Sequence, residues 1–209
     1  MAAGKFITIE GIEGTGKSTN LDFVMGLIES HGFAALRTRE PGGTPMAEKI
    51  RQLLLDHGQE PVPPIAELLL FFAARSLHLQ NTIIPALQGG TWVLCDRFTD
   101  ASRAYQGIGR GLGADRVEHL ADWVQNGLEP DLTLLLDAPA DIGMQRAASR
   151  GRGDRMDNEE LDFYQRVRDA YLGLAEANPK RFAVIDASQS LAAVQREIAA
   201  VMAPYFSNN

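Results

Sequence analysis

Hydrophobic and polar positions along this chain follow two alternating patterns. The segments KFITIE (5–10), AALRT (34–38), TWVLCD (91–96), LTLLLD (132–137) and FAVID (182–186) are short apolar runs with no polar face. AALRT is the weakest of them. Runs of this length, apolar on both sides, predict strands buried in a parallel sheet. Between them the apolar residues recur with helical spacing. Leu21, Val24, Met25 and Ile28 predict a helix that stops near Gly32, and Met46, Ile50, Leu53 and Leu54 predict one that starts at the Thr44-Pro45 cap. Val117, Leu120, Ala121 and Val124 mark another, Tyr164, Val167, Tyr171 and Leu174 a long one, and Leu191, Val194, Ile198 and Val201 the last. IAELLLFFAARSLHLQ (65–80) is apolar nearly all round, which predicts a buried rather than an amphipathic helix. Loops are expected at 39–45, 58–64, 107–113 and 149–158.

Strands that alternate with helices predict an α/β three-layer fold with a mostly parallel sheet, and 209 residues suit one domain, 1–209. Ligands of such sheets bind at the carboxyl ends of the strands, so the residues that follow each apolar run are the candidates for chemistry. The first run leads into GIEGTGKS (11–18), which matches G-x-x-x-x-G-K-[ST] between a strand and a helix. Gly11, Gly14 and Gly16 let successive N–H groups face a phosphate at the positive end of the next helix. Lys17 supplies charge for the outer phosphates, and the Ser18 hydroxyl is a ligand for Mg²⁺.

The third run ends in DRF (96–98), placing Asp96 beside the phosphate loop to hold Mg²⁺ or its water, with Arg97 facing a second anionic group. A surface ion pair is the other reading of either residue alone. TREPGG (38–43) puts Arg39 at the same edge. Phe71 and Arg75 fall at i and i+4 on one helix face. Phe71 reads equally as core and as a ring for stacking. Arg75, a charge in an apolar helix, must find a partner.

Composition narrows the class. The formal net charge is -7, against a general nucleic-acid-binding surface. The segment 149–160 sets Arg150, Arg152 and Arg155 against Asp154, Asp157, Glu159 and Glu160, a balance of about −1 by that count, so it is not a basic patch. The single Cys95 allows no internal disulfide, suits a reducing compartment and reads as a small buried hydrophobe. No apolar stretch reaches the roughly 18 residues of a membrane span, and no signal-peptide pattern opens the chain. A cytoplasmic nucleotide-handling protein is expected. An N-K-x-D guanine-reading sequence is absent from the chain.

IEGIEGTGKST, TREPGGT, LLLFFAARSLH, CDRFTDASRAYQG and LLLDAP, in this order, closely resemble the bacterial thymidylate kinases. The resemblance runs from about residue 5 to the end and includes the helix after LLLDAP. It implies a five-stranded parallel P-loop fold, a homodimer, and transfer of the γ-phosphoryl group of ATP to dTMP. Carried onto matching positions, it implies that Gly11, Ile12, Glu13, Gly14, Thr15, Gly16, Lys17, Ser18 and Thr19 surround the ATP phosphates and Mg²⁺. Glu13 would lie near the sugar of dTMP or the transferred group. Arg39 and Arg97 would bind the dTMP phosphate, Phe71 would stack on thymine, and Arg75 would reach a thymine carbonyl. Ser102 and Gln106 would line the base and sugar pocket, with Tyr105 against the sugar; Tyr105 also reads as a core aromatic. The phosphate loop carries no arginine. In the resemblance a lid at about 147–158 supplies catalytic charge instead, with Arg150 or Arg152 the candidates and Arg155 orienting the lid. Arg146 and DASQS (186–190) are candidates for adenine by position only. Two other functions stay open on sequence: a kinase for another nucleoside monophosphate, and a P-loop binding module with no phosphoryl acceptor.

Overall fold

The computed structural model describes residues 4–56, 60–148 and 159–207. Five strands form one all-parallel sheet: β1 Phe6–Glu10, β2 Ala35–Arg39, β3 Trp92–Asp96, β4 Leu132–Asp137 and β5 Phe182–Asp186, in the order β2-β3-β1-β4-β5. Each lies within one residue of the run that predicts it. β1 is buried throughout, as a central strand covered on both faces must be.

Helices α1 (Lys17–Ser30) and α9 (Leu191–Phe206) cover one face. Leu21, Val24 and Ile28 of α1 and Val194, Ile198 and Met202 of α9 pack on Ile7, Ile9, Leu134 and Leu136. The other face holds α2 (Pro45–Leu55), α3 (Pro64–His78), α4 (Ile84–Gln88), α5 (Thr99–Ser102), α6 (Ala114–Gln125), α7 (Ala140–Ala148) and α8 (Leu161–Ala177). There Phe6, Phe98, Leu79 and Ile83 form one cluster, and Tyr105, Leu135, Phe163, Tyr164, Val167 and Tyr171 another. The Thr44 cap is confirmed: its hydroxyl accepts from Ala47 N at 3.2 Å, and Pro45 opens α2.

Two expectations need correction. Residues 107–113 were expected as a loop, but α5 continues as a π-helical stretch, Arg103–Gly109. Gly109 marks close packing rather than a turn, because a Cβ there would lie 2.8 Å from the Phe163 ring. Nor is helix 65–80 buried all round. Glu67, Leu68, Phe72, Ala74, Arg75 and His78 face inward, while Ile65 is 58% and Leu69 52% exposed. Its length also differs, since a π-helical turn (Leu79–Ile83) joins α3 to α4.

Candidate active site

The strand ends converge as the topology requires, with Arg39 opposite Asp96 and Ile9 opposite Asp96 in the sheet register. From β1 the chain turns through Gly11, Gly14 and Gly16, all at positive φ, into α1. The loop lies hard against α7: a Cβ on Gly14 would sit 1.9 Å from the Gly143 carbonyl oxygen, and one on Gly143 would sit 2.6 Å from that of Glu13. Neither position tolerates a side chain. Thr15 Oγ1 donates to Ile12 O (2.9 Å), and Lys17 Nζ donates to the carbonyls of Gly11 (2.9 Å) and Ile12 (2.7 Å). Burial, reinforced by the charge of Arg97, brings the Lys17 ammonium down to about 8. Ser18 and Thr19 are exposed at the start of α1.

A wide cleft of about 1030 Å³ opens beside the phosphate loop, lined among others by Ser18, Thr38, Arg39, Glu48 and Asp96. Asp96 Oδ1 is buried and has no hydrogen-bond partner. A buried carboxylate oxygen without a partner is costly unless a ligand completes it. With the Ser18 hydroxyl on the same wall, the donors suit Mg²⁺, a hard cation that takes oxygen ligands and keeps several waters or phosphate oxygens. Among the described residues no cluster of three or more His, Cys, Asp or Glu side chains could hold a metal ion. Arg39 faces this cleft, half-exposed, with its Nη2 2.9 Å from Glu48 Oε2.

A second cavity lies between the phosphate loop, β2, α2, α3 and the α5 region. Glu13, Phe71, Arg97, Tyr105 and Gln106 line it, as do Glu40, Pro41, Arg51, Leu55 and Ala101. Arg97 takes a left-handed backbone conformation, φ 65°. Its Nη2 reaches Glu13 Oε1 at 2.7 Å and the Tyr105 hydroxyl at 3.2 Å, while that hydroxyl donates to Glu13 Oε2 at 2.7 Å. Glu13, Arg97 and Tyr105 thus form one closed polar unit on the cavity wall. Burial and the Glu13 charge raise the Tyr105 phenol, which stays protonated as that donor.

Arg75 is 1% exposed. Its Nε donates to Glu40 Oε2 at 2.7 Å and its Nη2 to Ser102 Oγ at 3.1 Å, while Nη1 has no partner. The Phe72 ring, not Phe71, lies under its guanidinium at 4.6 Å. Both Arg75 and Ser102 are buried and neither is among the residues that line the cavity. His78 shares Glu40: its Nδ1 lies 3.1 Å from Glu40 Oε1, and its Nε2 lies 2.6 Å from Thr38 Oγ1. A carboxylate only accepts, so the Nδ1 carries hydrogen.

Arg146 Nη1 donates to Ala187 O at 2.8 Å, joining α7 to the DASQS loop. Cys95 is buried, as expected, and burial raises its thiol, which leaves it a poor nucleophile. Arg150, Arg152 and Arg155 lie outside the described residues, as do all but Ala147 and Ala148 of the expected lid.

The sequence reading missed Arg51, Leu55, Glu40 and His78. Arg51 sits on the polar side of α2, where helical periodicity carries no sign of a ligand, and donates to Pro41 O at 3.0 Å. It missed Glu10 as well, a fully buried carboxyl that accepts from Phe98 N and from the Tyr171 hydroxyl, both at 2.7 Å. Burial, with the Asp100 charge adding to it, pushes Glu10 from 4.5 to about 8. The folded chain then keeps a proton that the unfolded chain has released. This contribution to stability is full below about pH 4.5 and is lost as pH rises through about 8. Glu10→Gln cannot ionise, so its melting temperature is expected to gain on that of the wild type between roughly pH 4.5 and pH 8 and to keep a constant difference above that. Calorimetric scans across that range check this, and a difference that stays constant within it would contradict it.

A family model described as thymidylate kinase matches residues 9–198. The thymidylate kinase of Chromohalobacter salexigens is 56% identical over 202 residues, which cover 96% of this chain and 95% of that one. The thymidylate kinase of Methylococcus capsulatus is 55% identical over 199 residues, 95% of each chain. That of Pseudomonas putida (strain GB-1) is 53% identical over 200 residues, 96% of this chain and 95% of its own. With similarity of this depth over almost its whole length, and a phosphate loop set beside a cavity lined by Phe71, Arg97 and Tyr105, the chain belongs to the thymidylate kinase family.

Proposed function

We propose that this protein transfers the γ-phosphoryl group of ATP to dTMP, giving dTDP and ADP for dTTP synthesis. The observation that carries the reading is the joining of two spaces by one polar unit. Glu13 belongs to the phosphate loop and Tyr105 to the cavity wall, and Arg97 bonds to both. A donor nucleotide on the loop and an acceptor phosphate in the cavity would meet at Arg97. In phosphoryl transfer the protein positions reactants and offsets charge on the transferring oxygens. In this reading Lys17 and the loop N–H groups hold the ATP phosphates, with Arg146 near the adenine end. Arg97 and Arg39 hold the acceptor phosphate, Phe71 stacks on the base, and Arg75 and Gln106 face its polar edge. Ser18 and Asp96 would hold Mg²⁺, which offsets phosphate charge when bound. Arg150 and Arg152 are assigned to the transferring group, with Arg155 supporting them.

The test is ADP release measured by a coupled assay, with and without each nucleoside monophosphate. Release that rises steeply with dTMP supports the proposal. Release indifferent to every monophosphate marks a binding module, and preference for a monophosphate other than dTMP marks a different kinase.

We also propose that the protein works as a homodimer. Met46 and Leu53 on α2, Ile65 and Leu69 on α3, and Trp123 on α6 are exposed large apolar residues on helices packed against one another. A second copy with the same stripe would remove them from water. Leu69→Asp is expected to give monomers in sedimentation velocity at concentrations where the wild type sediments as a dimer. A variant that sediments as the wild type does would overturn this interface. The activity is assigned to the cytoplasm, which fits the single, buried thiol. Among the described residues no helix is long and apolar enough to cross a membrane.

A further inference from the structure

We propose that Glu67, a residue outside the cavity lining, fixes which end of the Gln106 side-chain amide faces the nucleobase and so adds discrimination between thymine and cytosine. The inference rests on the dTMP reading above and deepens it. Gln106 lines the cavity beside Phe71 and Tyr105, yet it is only 1% exposed and cannot turn freely. Its Nε2 donates to Glu67 Oε1 at 2.9 Å. Glu67 is itself 1% exposed and is held from its other side by Arg110, Nε 3.3 Å from the same oxygen. Arg110 in turn pairs with Glu159 at 2.6 Å and lies over the Phe163 ring at 4.8 Å.

A glutamine amide can turn over at almost no intrinsic cost, so its neighbours decide its orientation. An ionised carboxylate has no hydrogen to give. It accepts the Gln106 N–H, and turning the amide over would set two oxygens against each other. With its N–H held by Glu67, the Gln106 amide offers Oε1 as the acceptor on the cavity side. The base edge supplies the complement. Thymine and uracil carry N3–H, a donor, in the middle of that edge, whereas cytosine carries a bare N3 acceptor there with an amino group beside it. An acceptor-only amide suits the first two and opposes the third. Leaving a buried polar pair unmatched shifts such equilibria roughly five- to hundredfold.

Glu67→Gln keeps the volume but can either donate or accept, which frees the Gln106 amide to turn. With ATP fixed, kcat/KM is measured for dTMP, dUMP and dCMP in the wild type, Glu67→Gln, Gln106→Leu and the double variant. Glu67→Gln is expected to lower the dTMP:dCMP ratio at least tenfold and to leave dTMP:dUMP within about threefold, since those two bases share the edge. Gln106→Leu is expected to lower the first ratio similarly, with no further loss in the double variant because Glu67 acts through Gln106. A dTMP:dCMP ratio within threefold of wild type in either single variant overturns the inference, as does a parallel fall in dTMP:dUMP. A wild-type chain that phosphorylates none of the three removes the dTMP reading and the inference with it. Strong dTMP phosphorylation with unchanged ratios removes only the inference.

Discussion

Replacing Arg97 by Ala is expected to lower kcat/KM for dTMP at least 10³-fold, about 4 kcal/mol of barrier, with little loss of folding stability. The guanidinium bonds to both Glu13 of the phosphate loop and Tyr105 of the cavity, and both reacting phosphates would fall within its reach. Stability should respond differently because of the backbone. Arg97 sits at φ 65°, a region that costs a residue with a Cβ about 1–2 kcal/mol and costs glycine almost nothing. Arg97→Gly should therefore melt higher than Arg97→Ala while being equally inactive. Steady-state kinetics and thermal melts of the two variants check both halves. If Arg97→Ala loses less than tenfold in kcat/KM, the ion pair with Glu13 is a fixture of the fold and not part of the chemistry.

Lys17→Met should lower kcat/KM for ATP by about thirty- to several thousandfold, the range expected when one partner of a buried charge pair is removed. The wild-type pH profile offers an independent check. Burial brings Lys17 down to about 8 in the free protein. As pH rises through that value the ammonium loses its proton and, with it, its attraction for the phosphates. kcat/KM for ATP, which reports the free enzyme, should fall above about pH 8, whereas kcat should hold to higher pH because bound phosphate favours the charged lysine. A kcat/KM profile flat from about pH 7 to pH 10 would contradict this account of Lys17.

Much of this site is local in sequence, and that part is legible without coordinates. The phosphate loop requires glycines, lysine and serine at fixed spacing between a strand and a helix, and its neighbours on the sheet edge each follow an apolar run. Arg39, Asp96 and Arg97 could thus be placed from strand ends alone. The five strands are legible for the same reason, since burial on both faces leaves continuous apolar runs. What escapes depends on contacts between distant segments. Residues 107–109 look like part of a loop at 107–113 because their glycines resemble turn signals, whereas they close the π-helical stretch and Gly109 is small to admit Phe163 from α8. The apolar pattern of α3 does not reveal that Ile65 and Leu69 stand exposed. Phe71 and Arg75 are legible as neighbours on a helix, but the Glu40 that holds Arg75 comes from another element, and the His78 that holds Glu40 from the next helical turn. Glu67 is similar: a carboxylate in an apolar helix is visible, and its bond to Gln106, 39 residues away, is not.

The most direct measurement of the central claim follows the phosphoryl group itself. ATP labelled in the γ-phosphate is incubated with dTMP, Mg²⁺ and the protein, and the nucleotides are separated by chromatography. The account predicts that label moves into dTDP, in step with ADP formation, and that omitting dTMP or Mg²⁺ stops it. Label released only as inorganic phosphate, at a rate indifferent to dTMP, would contradict it.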